Sequence, residues 1–172
     1  MELRRWRIGV EPRGFANFSR RLILYLDTSA LLKLYVLEEG RDLVEQAVDE
    51  AAVIATSSVA YAEARASLAR KRREGVFSEE KLREAVAAFD EDWRTFETLA
   101  ATENAARLAG GLAEEHALRG FDALHLASAL LIRVAALQEG GEGAEDSTRF
   151  LSFDGELNGA ARKTMRTYEP RV

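Results

Sequence analysis

Four acidic residues stand at places where a carboxylate can do chemistry. Asp27 closes the apolar run LILYLD (22–27), and Asp154 directly follows RFLSF (149–153). Glu63 sits early in SSVAYAEARASLAR (57–70), among the small or apolar neighbours Val59, Ala60, Ala62, Ala64 and Ala66. Asp122 opens FDALHLASALLIRVAAL (121–137), the most apolar stretch of the chain. Brought together, four carboxylates repel and raise one another's pKa. A hard divalent cation removes that cost, and an all-oxygen ligand set favours Mg²⁺ or Mn²⁺ over zinc. Such a centre suits phosphodiester hydrolysis: it acidifies a bound water, stabilises phosphoryl oxygens and orients in-line attack. Taken singly, each acid has an ordinary explanation. Asp27 fits a strand-end turn, Asp122 and Asp154 fit helix caps, and Glu63 fits a solvated helix face. The argument rests on the set.

The elements that must position these acids follow from hydrophobic periodicity. LILYLD reads as a strand buried on both faces, as in a parallel sheet. Ser29 is placed to cap the next segment, where Ala30, Leu31, Leu34 and Tyr35 recur at helical spacing. RDLVEQAVDEA (41–51) is a short helix, and AVIAT (52–56) a second strand. Ser57 or Ser58 then caps a long helix to about Arg73, ended by Gly75. Ser78 starts another, with Glu79 and Glu80 in its first turn. FETLA (96–100) is a third strand candidate. Thr102 caps a helix to about Leu118, which Gly120 breaks. The 121–137 segment is apolar nearly all round and predicts a buried helix. RFLSF is a fourth strand, GELNGAARK (155–163) a last turn or two of helix, and MRTYEP (165–170) an edge strand. Strands alternating with helices predict an α/β fold with a mainly parallel sheet. In such sheets ligands lie beyond the carboxyl ends of the strands, where Asp27 and Asp154 fall.

Composition narrows the chemistry. The chain has 172 residues, a net charge of −5 and no cysteine, which excludes a disulfide scaffold and a thiolate metal site. Two histidines are too few for a polyhistidine zinc centre. There is no Gly-x-Ser-x-Gly elbow and no Gly-rich phosphate loop. No uninterrupted apolar run approaches the ~18–20 residues of a membrane span, so the expectation is a cytoplasmic protein without membrane contact. The charge is uneven. Residues 1–21 hold six Arg against two Glu, a balance of +4, leaving −9 for the remainder. That first piece reads as a flexible basic arm, or more sharply as a nucleic-acid contact. GGEGAEDSTR (140–149) reads as an exposed loop. ARKRREG (69–75) is the densest basic run.

Four blocks carry a resemblance: YLDTSALLKLY (25–35), SSVAYAEARASLAR (57–70), RGFDALHLASAL (119–130) and FLSFDGELNGAA (150–161). In this order they resemble the PIN-domain ribonucleases, and among them the VapC-like toxins of type II toxin–antitoxin pairs. The resemblance covers residues 22–170 as one domain. It implies a Rossmann-like three-layer fold with about five parallel strands and a Mg²⁺- or Mn²⁺-dependent endoribonuclease site. The catalytic and metal-binding acids it implies are Asp27, Glu63, Asp122 and Asp154. Thr28 or Ser29 matches the family's small polar residue after the first acid. It also implies an RNA substrate, a homodimer and a cognate antitoxin that inserts a basic segment near the acids. The loop at 138–148 and the 1–21 arm look like departures. An alternative reading is a PIN-fold binding module whose acidic pocket captures a basic partner with little catalysis. A haloacid-dehalogenase-type phosphohydrolase expects a second Asp two residues after the first, and position 29 is Ser.

Several further residues are candidates. Ser152, two residues before Asp154, points to the same side of its strand and is a candidate to support the acids. Asn158 either hydrogen-bonds a carboxylate or follows the helix surface. His125, one turn after Asp122, reads first as a satisfied core histidine and second as a group that orients a carboxylate or contacts substrate. His116, near a helix C-terminus, reads as solvated. Arg65, Arg70 and Arg72 are RNA-contact candidates, against a plain reading as a solvated helix end. Val59, Ala66, Leu82, Val86, Phe89 and Trp93 suit either a dimer interface, an antitoxin groove or the core.

Overall fold

The run at 22–27 forms strand β1 (Ile23–Leu26), and all four of its residues are buried. Its side chains alternate between two cores, as a strand covered on both faces requires. Ile23 and Tyr25 face one cluster, whereas Leu24 and Leu26 face the other. A computed structural model describes residues 22–140 and 145–170 of the chain. After β1 come α1 (Thr28–Leu32), α2 (Arg41–Glu50), β2 (Val53–Ser57), α3 (Val59–Arg73) and α4 (Glu79–Trp93). Then follow β3 (Glu97–Leu99), α5 (Glu103–His116), α6 (Gly120–Glu139), β4 (Thr148–Leu151) and α7 (Gly155–Thr164).

The strands form one parallel sheet in the order β3-β2-β1-β4. Helices α5, α6 and α7 cover the face of Ile23, Tyr25 and Phe150, and α1 to α4 cover the face of Leu24, Leu26 and Leu151. This is the three-layer α/β architecture that the alternation of elements predicts. The chain runs from β1 outward to β2 and β3, then returns to pair β4 on the other side of β1. The connections leaving β1 and β4 therefore diverge, and a crevice opens at their carboxyl ends. The α6 segment fills one layer, with Ala123 to Ala129, Ile132 and Ala136 buried.

Several expectations need correction. Among the described residues the sheet has four strands rather than about five. MRTYEP contributes a single bridge between Phe150 and Thr167, because α7 continues to Thr164 and Pro170 lacks an N–H. Asp27, not Ser29, caps α1: its side chain accepts from the Ala30 N–H. Ser58 precedes α3 without a side-chain cap bond, and its hydroxyl accepts from Ala101 N–H instead. Gly120 is the first residue of α6, and α5 ends earlier, at His116, where Ala117 turns left-handed at φ 54°. The His116 side chain is buried rather than solvated. The loop expected at 138–148 is shorter, since α6 reaches Glu139 and Thr148 belongs to β4. Its residues 141–144, like the 1–21 arm, lie outside the described residues. Finally, α6 is long and apolar enough to cross a membrane by length and composition. Counting only uninterrupted apolar runs misses this, because polar residues such as His125 and Ser128 interrupt the run while the helix as a whole stays apolar. Half of its most apolar window is buried inside the fold.

The interface candidates divide. Phe89 is fully buried, and Leu82, Val86 and Trp93 pack on the α1–α4 core. Val59 packs on the other core, and Ala66 is exposed.

Candidate active site

Asp27 lies at the carboxyl end of β1 and is only 4% exposed. Four donor contacts from three residues engage its two oxygens. Oδ1 accepts from Ala30 N–H at 2.9 Å and from Ser29 Oγ at 2.8 Å. Oδ2 lies 2.9 Å from Ser29 Oγ and accepts from Ser152 Oγ at 2.8 Å. Burial pushes the Asp27 carboxyl above its usual range, against the lowering effect of the Ala30 N–H, His125, Ser152 and Ser29. The two serines also tie β1 to β4. Ser29 Oγ accepts from Phe153 N–H at 2.8 Å, and Ser152 Oγ accepts from Asp154 N–H at 3.0 Å. Asn158 donates to the Ser152 carbonyl at 2.6 Å, so it holds a strand-end backbone rather than a carboxylate.

Asp154 caps α7, with Oδ1 accepting from Leu157 N–H at 2.9 Å. Asp122 is partly exposed in the first turn of α6. Its carboxyl is raised by burial and by the nearby charge of Asp154, and lowered by Arg119 and His125, with Asp27 adding a further raise. Asp122 therefore lies within electrostatic reach of both Asp154 and Asp27.

Glu63 is anchored differently. Thr28 Oγ1 donates to its Oε2 at 2.6 Å, and His125 Nε2 lies 2.9 Å from the same oxygen. A carboxylate only accepts, so Nε2 carries the proton, and Thr28 Oγ1 stands 3.1 Å from it. On the other side of the ring, Tyr25 OH lies 3.0 Å from Nδ1. Burial raises the Glu63 carboxyl, but the hydrogen bonds from His125 and Thr28 outweigh it and leave the group lowered. His125 is thus both a buried core residue and the orienter of a carboxylate. Tyr25, which the sequence reading missed, completes the relay and stacks on Phe150 at 5.4 Å. The available signal was a hydroxyl-bearing ring two residues before Asp27 inside an otherwise aliphatic strand.

Two clefts adjoin these groups. One, of 670 Å³, contains Glu63 and Asp122 together with Arg119, Phe121 and the α5 face. A smaller one, of 200 Å³, contains Ser29, Phe153, Arg70 and Lys71. Of the basic candidates, Arg70 lines the smaller cleft with Ser29. Arg65 turns to α4, donating to Tyr61 OH at 2.8 Å and pairing with Asp90 at 3.4 Å. Arg72 pairs with Glu79 at 2.6 Å on the surface. Lys33 crosses from α1 to lie over the Phe153 ring at 4.2 Å.

The donor chemistry fits a hard cation, since every acid offers carboxylate oxygen and the mutual repulsion on Asp122 is what a cation relieves. Among the described residues, no three acidic or histidine side chains are gathered closely enough to form a ready-made ion cage.

A parallel sheet in the order β3-β2-β1-β4, with acids placed at its carboxyl edge, sets the class. The PIN domain family model matches residues 24–163, and the chain belongs to that family. The chain is similar to Ribonuclease VapC45 and Ribonuclease VapC49, from two strains of Mycobacterium tuberculosis. Each is 37% identical over 110 residues, covering 64% of this chain and 76% of the relative. The crystal structure of PAE2754 from Pyrobaculum aerophilum shares the fold, with a TM-score of 0.57 and 16% identity over 84% of this chain and 83% of that one.

Proposed function

We propose that this chain is a metal-dependent endoribonuclease and the toxin of a toxin–antitoxin pair. The observation that carries the reading is the carboxyl edge of the sheet at β1 and β4, where Asp122 feels the charges of Asp154 and Asp27 and Glu63 is fixed by Thr28 and His125. The similarity to two proteins named Ribonuclease VapC supports RNA as the substrate. Asp27, Glu63, Asp122 and Asp154 would hold one or two Mg²⁺ or Mn²⁺ ions directly or through water. The cation supplies Lewis-acid stabilisation of the phosphate and a more acidic water at neutral pH.

The chain's own groups do the positioning. Ser29, Ser152 and the Ala30 N–H fix the Asp27 carboxylate against rotation. Thr28 and His125 fix Glu63, so both acids keep their orientation before substrate arrives. Water adds to phosphorus as the P–O3′ bond breaks, leaving a 5′-phosphate and a 3′-hydroxyl. No side chain needs to become a covalent nucleophile. An uncomplexed acidic crevice also suits a basic segment of an antitoxin, which would inhibit by pairing with the same carboxylates. We place the enzyme in the cytoplasm as a homodimer, with residues 22–170 as the nuclease domain and 1–21 as a basic arm.

The test is cleavage of a pooled RNA by the purified chain with Mn²⁺ against the same reaction in EDTA, with the new ends sequenced. Metal-dependent cutting that leaves 5′-phosphates supports the reading. Absence of any metal-dependent cutting, together with Mn²⁺ binding equal in wild type and Asp27→Asn by calorimetry, would leave only a binding role for the pocket.

A further inference from the structure

The 670 Å³ cleft joins two kinds of lining. Glu63 and Asp122 supply carboxylates. A stripe on α5, formed by Ala106, Ala109, Gly110 and Ala113, supplies small apolar groups. These positions recur at helical spacing and share one face. Ala109 and Ala113 pack on the core, while Gly110 faces open space, since a Cβ placed on it meets nothing within 4 Å. At the mouth, Phe121 is 59% exposed, a large apolar ring left in water beside an acidic centre. Arg119 stands next to it, also exposed.

The geometry points to a nucleobase subsite: an unpaired base next to the cleaved phosphate enters this cleft and lies with its face on Phe121. This rests on the ribonuclease reading and specifies which part of the RNA the site holds. The occupant must join a phosphate to a flat apolar group. The phosphate belongs at the acid end with the cation, within reach of Arg119. The base supplies a π-face for Phe121 and an edge thin enough for a wall of alanine and glycine. A volume of 670 Å³ lies within the ~300–1,000 Å³ range of small-ligand sites, so one nucleotide fits. A paired base presents no free face, so the subsite selects single-stranded RNA. An apolar protein segment would fill the Phe121 end without using the carboxylates.

Two variants test this without touching the acids. Phe121→Ala removes the stacking surface at an exposed position. Gly110→Leu drives a side chain into the slot while improving on glycine as a helix former. Wild type and both variants are given a randomised single-stranded RNA with Mn²⁺, and the cut ends are sequenced. Wild type should show a base preference at one position flanking the cut. Both variants should flatten it and cut on the order of tenfold more slowly, with Mn²⁺ binding by calorimetry unchanged. In parallel, a 4-thiouridine RNA is photo-crosslinked to the wild type and the joined peptide mapped, which should fall within 106–113 or 119–124. An unchanged base preference in both variants overturns the subsite, as does cross-linking confined to other segments. Lost inhibition by a protein partner with cleavage intact also overturns it, assigning the cleft to that partner. If the wild type cuts no RNA with metal, the nuclease reading fails by itself, and the cross-link still decides whether RNA occupies the cleft.

Discussion

Two buried aspartates sit in two different layers of this molecule. Asp27 ends β1 and is 4% exposed; Asp92 lies near the end of α4 and is 7% exposed. Both carboxyls are pushed above their ordinary range, and burial is the leading cause in each. Their surroundings differ. Asp92 accepts one side-chain bond, from Tyr35 OH at 2.9 Å, beside the aromatic cluster of Tyr35, Phe89 and Trp93, and its pKa is raised to about 6. Asp27 has donors on both oxygens from α1 and from the segment after β4, and its charge reaches Asp122. A raised carboxyl is thus a poor marker of a site when it stands alone. What separates the two is convergence: donors from distant parts of the chain hold one acid in a fixed pose beside others of like charge.

The sharpest way to break that contrast is to neutralise each acid in turn. Asp27→Asn should lower metal-dependent RNA cleavage on the order of 10³-fold while leaving the circular dichroism spectrum and the melting cooperativity unchanged. Asp92→Asn should leave cleavage as it is. Equal loss in both would erase the distinction between a site acid and a structural one. Removing a donor is the next test. Ser152→Ala takes away the Oδ2 partner of Asp27 and the acceptor of Asp154 N–H. It should weaken Mn²⁺ binding or activity by about 10–100-fold, and calorimetry beside single-turnover rates would show which.

The stability of the other acid supplies a third prediction. The Asp92 carboxyl holds its proton to about pH 6 in the fold, against 3.8 for the ordinary group. Between those values the folded chain binds more protons than the unfolded one, so stability falls as pH rises through this window and is level above it. Asp92→Asn removes that slope. Its stability gain over wild type should grow from pH 4 to pH 6 and then plateau at about 1–3 kcal/mol in urea melts. A gain that is constant across pH would show that the carboxyl's charge is not the cause. The smallest effect concerns the arginines. Arg70→Ala should reduce the salt slope of RNA binding by about one, because Arg70 shares a cleft with Ser29. Arg65→Ala and Arg72→Ala, whose partners are Asp90 and Glu79, should leave the slope unchanged.

Much of this arrangement was legible in the sequence, because apolar strands ending in acids encode both the sheet and its crevice. β1, β2, β3 and β4 fall within a residue or two of LILYLD, AVIAT, FETLA and RFLSF. The helices after Ser78 and Thr102 begin where the caps indicate, each with the expected side-chain bond. What stayed hidden was pairing between side chains far apart in the chain. Periodicity places His125 on a buried face and cannot say that Glu63, 62 residues away, meets its ring. The cap of α1 was misassigned to Ser29 because a serine and an aspartate two residues apart are equally good caps; Asp27 is the one with extended backbone (φ −74°, ψ 175°) and a side chain on the Ala30 N–H. The Phe121 cleft was invisible for a related reason, since α5 supplies its wall by what it lacks.

The pairing of β1 with β4 has a consequence for the order of events in synthesis. β4 begins 125 residues after β1, and the Ser152 bond to Asp27 spans the same interval. A chain still being translated can form α1 to α4 against β1 and β2, yet the exposed edge of β1 has no neighbour and Asp27 lacks its Oδ2 donor. The crevice comes into being only when β4 and the residues after it dock. A chain that stops before Thr148 lacks β4, the Ser152 donor to Asp27 and Asp154 itself, so the carboxyl edge on that side of β1 stays unbuilt.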